Sequence, residues 1–360
     1  MRILFWSANF WPNLGGLERI SQELVLALRD RGVEVLVVAP QHPNRPDEDH
    51  FHGVPVRRLP FQDPRAFLDL TRLFALKARC RHIKQEWAPD IVHISGCSQA
   101  LLMHQLTLSP AQRTLITLHG AVPGRDPGIP SVYDQALRQA DALCCCSQWT
   151  QAELIRNLPD CAPRCSTVLN ALPLGEAPAP VAPDPVLLCA GRLAPEKGYR
   201  TAIAALPRCH PKLRLEMAGE GPLQAELGQL ARQSGVRRRL RFLGRLGEDE
   251  LYQKMQKCLA VLVPSRDEGF GLTALEAAWL GVPVVASRVG GLPEVVLHNQ
   301  TGLLVHPTRP HLWAKACNKL YANPDFRQKL SEGSRAWARS QFSWSDFVDR
   351  YMDLYRQLVT

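Results

Sequence analysis

Along the chain, short runs of apolar residues alternate with longer stretches in which apolar positions recur every three or four residues. The short runs at residues 3–7, 34–38, 91–94, 115–118 and 142–146 predict buried strands, as do 186–190, 213–217, 240–243, 260–263, 284–286 and 303–305. Most are separated by amphipathic stretches of helical spacing, such as 17–31, 65–86, 223–233 and 249–258. A β-α-β-α alternation predicts an α/β fold with mostly parallel sheets covered on both faces. Short, fully apolar strands fit that burial. The alternation breaks at "LPLGEAPAPVAPD", residues 172–184, where four prolines and few large apolar residues predict a linker. It divides the chain into a first domain, residues 1–173, and a second, residues 174–342. The tail carries Phe347, Tyr351, Leu354 and Leu358 at helical spacing.

Length agrees with this division, since 360 residues exceed what a single core usually serves. Hydrophobic residues make up 46% and charged residues 21%, as in ordinary soluble globular proteins. No window approaches the roughly 20 apolar residues that span a bilayer. The opening "MRILFWSANFWP" reads as a first strand, because its apolar run is too short for a signal peptide and no cleavage site follows. The expected location is the cytoplasm. The 11 cysteines include the run Cys144, Cys145, Cys146, which reads as buried thiols in a reducing compartment. Cys161 and Cys165 have no His partner nearby, so free thiols or a local disulfide fit them better than a metal. The net charge of +9 suits phosphate-bearing ligands or an anionic membrane surface.

Ligands of open parallel sheets bind beyond the carboxyl ends of the strands. The segments there are "NFWPNLGGLE", "SGCSQ" and "HGAVPGRDPG" in the first half, then "GRLAPEKG", "GEGP", "GRLGED", "SRDEGFG" and "SRVGG". In "AGRLAPEKG", Arg192 and Lys197 stand five apart and could clamp a diphosphate, or be two solvated loop cations. In "RDEGFGLTALEAA", a helix starting near Leu272 would leave the amides of Gly271, Leu272 and Thr273 facing a phosphate. Gly269 and Gly271 would let the backbone approach closely. Glu276, one turn into the helix, would lean back toward its start. A carboxylate beside a phosphate should bind neutral hydroxyls, so Glu276 suits a ribose diol. Glu268, in the loop, suits hydroxyls of a sugar attached to the diphosphate. The alternative is that Glu276 only complements the helix dipole, worth roughly 0.3–1 kcal/mol. Gly219 and Gly221 leave room for a ligand to pass over them. Gly244 to Leu246 reads either as backbone presented to a flat base or as a plain turn. Gly290, Gly291 and Pro293 form another candidate anion-facing turn.

Together, "AGRLAPEKG", "MAGEGP", "RFLGRL", "VPSRDEGFGLTALEAAWLGVPVVAS" and "GGLPEVV" resemble the retaining glycosyltransferases of family 4. "FWPNLGGLE", "PDIVHISG" and "ITLHG" in the first half match as well, so the resemblance covers nearly the whole chain. The E-x7-E spacing of Glu268 and Glu276 is the family's hallmark. The resemblance implies a GT-B fold, two Rossmann-like doubly wound domains facing across a cleft, with the tail 343–360 crossing back to the first domain. It implies a nucleotide-diphosphate sugar as donor, held by Arg192 and Lys197 at the diphosphate and Glu276 at the ribose. Gly219, Gly221, Leu246, Gly269, Phe270, Gly271, Leu272 and Thr273 would line the same donor site. Glu268 and His119 would lie near the transferred sugar, and Gly16 near the donor phosphate or sugar. Glu18 and Trp11 would stand on the acceptor side, although Gly16 and Glu18 read equally as a loop and a helix start. The family carries an Asn-Gly pair where this chain has Asn170 and Ala171, which bears on the local turn and not on the fold.

The implied activity is retaining sugar transfer to a hydroxyl of a glycan, a lipid-linked glycan or a small molecule, in bacterial-type surface polysaccharide or glycoconjugate synthesis. No cofactor and no metal are expected, since no metal-binding Asp-x-Asp motif is apparent and the cations take over the role of a metal. Residues 65–86 are basic and amphipathic, with Arg72, Lys77, Arg79, Arg81 and Lys84 beside Phe67, Leu70, Leu73, Phe74 and Leu76. They read as a sheet-covering helix with a solvated basic face, or as a helix docking on an anionic membrane. The run Arg237–Arg239 reads as surface, because no nucleic-acid-binding motif accompanies it. A nucleotide-sugar epimerase or hydrolase of the same architecture would turn over the donor without an acceptor. A non-catalytic binder would transfer to nothing. A dinucleotide oxidoreductase is disfavoured, because no G-x-G-x-x-G follows the first strand.

Overall fold

In the computed structural model, which describes residues 1–13, 15–109, 112–123, 131–176 and 178–360, the apolar runs are strands of two separate sheets. The chain forms two compact units, Met1–Leu172 with Trp344–Thr360, and Pro173–Ser343. The first sheet contains β1 (Arg2–Ser7), β2 (Glu34–Pro40), β3 (Glu48–Phe51), β4 (Val54–Leu59), β5 (Ile91–Ser95), β6 (Arg113–Leu118), β7 (Ala142–Cys145) and β8 (Cys165–Thr167). Their order is β3-β4-β2-β1-β5-β6-β7-β8, parallel except for the antiparallel pair β3–β4. The second contains β9 (Val186–Ala190), β10 (Arg214–Ala218), β11 (Leu240–Gly244), β12 (Ala260–Val263), β13 (Val284–Ser287) and β14 (Gly302–Val305). It is wholly parallel, in the order β11-β10-β9-β12-β13-β14. That order reverses between β9 and β12, which opens a ligand crevice beyond their carboxyl ends. Each sheet supports its own core, around Leu4, Trp6 and Ile116 in the first unit and around Leu215, Leu262 and Trp313 in the second.

The chain departs from its sequence pattern where charge interrupts apolar periodicity. β3 and β4 escape a search for apolar runs because they alternate. Asp49 and Phe51 point inward on β3, and Val54, Val56 and Arg58 on β4. Arg58 is 1% exposed and tolerates burial because Asp49 meets it at 3.0 Å. The stretch 65–86 is two helices, Arg65–Leu68 and Leu70–Trp87. The break falls at Asp69, whose carboxylate accepts from the Thr71 amide at 2.8 Å and the Arg72 amide at 3.2 Å and so starts the second helix. The face expected to be basic is also altered. Lys84 is buried and bonded to His104 Nδ1 at 2.9 Å and the Thr107 carbonyl at 3.0 Å. Leu70 and Phe74 instead are exposed.

The tail helix Trp344–Val359 packs in the first unit. Phe347 and Tyr351 are buried as their spacing predicts, but the buried face continues through Val348, Met352 and Tyr355 rather than Leu354 and Leu358. The Tyr351 hydroxyl lies 3.1 Å from Thr117 Oγ1, so the helix is tied to β6 by polar as well as apolar contacts. Of the cysteine pair considered above, Cys165 turns its sulfur to Cys145, at 3.6 Å, and not to Cys161. Among the described residues, no helix is long and apolar enough to cross a membrane.

Candidate functional site

The polar groups of the second unit converge just beyond β9 and β12. After β9 the chain makes a single tight turn, Pro195–Lys197, closed by Gly198 in the left-handed region at φ 64°. A side chain could not be added at Gly198, since its Cβ would lie 1.9 Å from the Pro264 carbonyl oxygen. The Arg266 amide donates to the Glu196 carbonyl at 2.7 Å. These two contacts lock the loop after β12 onto the turn after β9. As a result the Lys197 ammonium donates to Glu268 Oε2 at 2.8 Å. The Ser265 hydroxyl donates to the same oxygen, also at 2.8 Å. Lys197, Tyr199, Ser265, Glu268 and Thr273 line one small recess. The buried Tyr199 hydroxyl is held neutral, chiefly by burial and further by Cys189, Glu268 and Glu196.

The helix expected near Leu272 spans Leu272–Leu280, and its N-cap residue, Gly271, has no side chain to cap it. Gly271 precedes it at φ 107°, a conformation that glycine adopts without strain. Gly290 and Gly291, considered above as an anion-facing turn, are in contact with the Glu268 loop, the Gly291 amide donating to the Glu268 carbonyl at 2.9 Å, and a Cβ at Gly290 would lie 1.9 Å from that carbonyl oxygen. Glu276 is half-buried one turn into the helix, with the Tyr252 hydroxyl 3.4 Å from Oε1. The Phe270 ring is buried against Phe342, so only the backbone of Phe270 can meet a ligand.

Arg192 stands apart from Lys197. Its side chain is 71% exposed and pairs with Glu196 at 2.6 Å. Gly219 and Gly221 are explained by the chain itself. A Cβ at Gly219 would lie 2.1 Å from the Gly191 carbonyl oxygen, and one at Gly221 would lie 2.5 Å from that of Leu193. Leu246 is half-buried in the turn after β11, where the Gly244 carbonyl accepts from the Gly219 amide at 2.7 Å.

In the first unit, His119 follows β6 and is half-buried. Its Nε2 meets Ser95 Oγ at 3.0 Å, Ser95 meets Ser21 at 3.2 Å, and Nδ1 is buried without a hydrogen-bond partner among the described residues. Burial brings the imidazole down to about 4, so it is neutral at neutral pH. Gly16 opens the helix Gly16–Asp30, and the Glu18 carboxylate folds back over Gly15. One face of Trp11 is covered by the Arg45 guanidinium at 3.9 Å, and its carbonyl accepts from Arg58 at 2.8 Å. Residues 124–128 of the glycine-rich stretch after His119 lie outside the described residues. Sequence reasoning passed over Ser265, Tyr199 and Gly198. Ser265 and Gly198 sit inside the motifs that drew attention, and only their hydrogen bonds and close approaches separate them from ordinary loop residues.

Comparison with known proteins covers both units. A family model described as glycosyl transferases group 1 matches residues 176–337, and one described as glycosyltransferase family 4 matches residues 14–174. The chain is 30% identical to a glycogen synthase of Mycobacterium tuberculosis over 99% of its own length and 94% of the relative's. It is 27% identical to a GDP-mannose-dependent alpha-(1-6)-phosphatidylinositol monomannoside mannosyltransferase of the same organism, over 99% of this chain and 98% of that one. The crystal structure of Anabaena HepE in complex with UDP-glucose superposes with a TM-score of 0.81 at 22% identity, covering 99% of this chain and 100% of that one, a likeness of fold.

Proposed function

The chain belongs to the glycosyltransferases of family 4, with the GT-B fold, and on that footing we propose that it transfers a sugar with retention from a nucleotide-diphosphate donor to a hydroxyl acceptor. The observation that carries this reading is the joint approach of Lys197 and Ser265 to Glu268 beside a helix start whose N-cap residue is a glycine. A diphosphate at that helix start receives the amides at its first residues and the Lys197 ammonium. Arg192 adds charge by exchanging its partner Glu196 for the phosphate. Glu276 accepts from the ribose hydroxyls, and Glu268 accepts from the transferred sugar.

In the reaction, the bond from the anomeric carbon to the diphosphate oxygen breaks while the acceptor oxygen bonds to that carbon from the same face. The acceptor proton passes to the departing phosphate oxygen. Lys197, Arg192 and the helix amides stabilise the charge that develops there, so no metal is required. In the first unit, His119, neutral at neutral pH, is the candidate to meet the sugar, and Trp11 and Glu18 are the candidates to meet the acceptor. Relatives that use GDP-mannose on a phosphatidylinositol mannoside, or that build glycogen, favour a glycan or lipid-linked acceptor in glycoconjugate synthesis. For a lipid-linked acceptor the enzyme works at the cytoplasmic face of an anionic membrane. Exposed Leu68, Leu70 and Phe74 beside Arg65 and Arg72 would touch it.

Calorimetry with UDP, GDP and ADP, followed by mass-spectrometric assay of their sugars against an acceptor panel, tests the reading. Binding of one nucleoside diphosphate, product of retained configuration and activity that survives a chelator are expected. No binding of any nucleoside diphosphate would overturn it. Cosedimentation with anionic vesicles, lost in Leu70→Ser/Phe74→Ser, tests the membrane contact.

A further inference from the structure

Glu268 receives two donors on one oxygen, and the two are held differently. Ser265 is 1% exposed, and its short side chain projects from pinned backbone. The neighbouring Pro264 carbonyl abuts Gly198, and the neighbouring Arg266 amide is bonded to Glu196 at 2.7 Å. Lys197 reaches the same oxygen through a long methylene chain, and its side chain is 30% exposed. The backbone of Glu268 is pinned as well, by the Gly291 amide at 2.9 Å. Of the two donors, the Lys197 ammonium stands on the longer and more exposed side chain, and it can reach another partner without moving backbone.

A diphosphate at the helix start carries more negative charge than one carboxylate and competes for that ammonium. When Lys197 turns to it, Glu268 loses its counter-charge just as a second anion arrives beside it. Like charges repel, and an untethered carboxylate would swing away. We propose that Ser265 is the positioning residue that keeps Glu268 Oε2 fixed while Lys197 is drawn to the donor diphosphate. Oε1 is then left to accept from a hydroxyl of the transferred sugar. The proposal rests on the reading that Lys197 takes the diphosphate and Glu268 the sugar.

The experiment compares Ser265→Ala and Ser265→Thr with the parent by calorimetry, first with UDP, GDP and ADP alone, then with UDP-glucose, GDP-mannose and ADP-glucose. Ser265→Ala is expected to bind the preferred nucleoside diphosphate within about twofold of the parent, yet to bind its sugar conjugate about tenfold more weakly, the effect of one hydrogen bond to a charged group. Ser265→Thr keeps the hydroxyl and restores most of the difference. If Ser265→Ala does not fold, Ser265→Cys keeps the volume, weakens the donor and gives the same comparison. Equal weakening of both ligands, as general loosening of the recess would give, overturns the proposal, and so does no weakening of either. Lys197→Met and Glu268→Gln test the underlying reading separately. If Lys197→Met left nucleoside diphosphate binding unchanged, or Glu268→Gln left the gain from the sugar unchanged, that reading would fail, and the proposal with it.

Discussion

The Tyr355 hydroxyl lies 2.7 Å from Nδ1 of His93, joining the C-terminal helix to β5 across 262 positions of sequence. The other ring nitrogen of His93 meets Thr117 Oγ1 at 2.8 Å, so both are satisfied in a fully buried site. Burial, with a smaller contribution from His119, brings His93 down to about 3 and keeps it neutral. Tyr355→Phe would leave a buried ring nitrogen without its partner, which costs about 1–3 kcal/mol. Thermal denaturation should show a lower melting temperature for the first unit. An unchanged melting temperature would mean that the Tyr355–His93 bond contributes nothing to holding the tail.

Asp49 holds two guanidinium groups, Arg45 at 2.6 Å and the buried Arg58 at 3.0 Å. Burial alone would raise its carboxyl, but hydrogen bonds from Arg45, Arg58 and the His50 amide bring it down to about 2. A carboxyl depressed on folding contributes stability above its ordinary value near 3.8, and that stability is lost as pH falls toward 2. Asp49→Asn should abolish this part of the acid transition. At neutral pH it should cost about 3–5 kcal/mol, because Arg58 is left buried without a counter-charge. Denaturant titrations at pH 7 and across pH 4 to 2 would measure both effects.

Lys84 gives the opposite pH signature. Burial lowers its ammonium to about 7, against an ordinary value of 10.5. Between those two values the unfolded chain binds more protons than the folded one, so stability rises with pH across that window. Below about pH 7 the full cost of a buried charge is present, on the order of a few kcal/mol. The parent should therefore gain stability relative to Lys84→Met as pH rises from 7 to 10. Parallel pH dependences for the two proteins would refute the burial of a titrating ammonium.

Gly198→Ala tests the lock between the loops that follow β9 and β12. A Cβ there meets the Pro264 carbonyl oxygen at 1.9 Å and sits at φ 64°. The left-handed backbone alone costs about 1–2 kcal/mol for a non-glycine residue. Relief of the clash must separate Lys197 from Glu268. Nucleoside diphosphate affinity is expected to fall at least tenfold, alongside a lower melting temperature, and calorimetry of the folded variant reads it. Retained affinity would mean that Lys197 does not depend on this close approach.

Glu276→Ala should weaken nucleoside diphosphate binding by about tenfold, the loss of a carboxylate's hydrogen bonds to a diol. Binding as tight as that of the parent would remove Glu276 from the ribose.

Much of the molecule was legible in one dimension, because burial on both faces of a parallel sheet imposes apolar runs that any reader of the chain can find. The runs at 186–190 and 260–263 are strands with those bounds. Glycines and carboxylates clustered at one helix start drew attention to the loops where Lys197, Ser265 and Glu268 meet. Where charge was structural, the pattern misled. Arg58 and Lys84 look like surface residues in sequence, and only partners supplied from other elements make their burial tolerable. Gly219 and Gly221 looked like room for a ligand, yet their missing side chains make room for backbone. That Lys197 meets Glu268 and not Arg192's partner, and that Ser265 shares the same oxygen, depends on how two loops from separate strands dock. Sequence determines which groups are available and which elements carry them. Tertiary structure alone decides which of them share one atom, because hydrogen bonds are set by distance in space, and a separation of 71 positions between Lys197 and Glu268 carries no record of it.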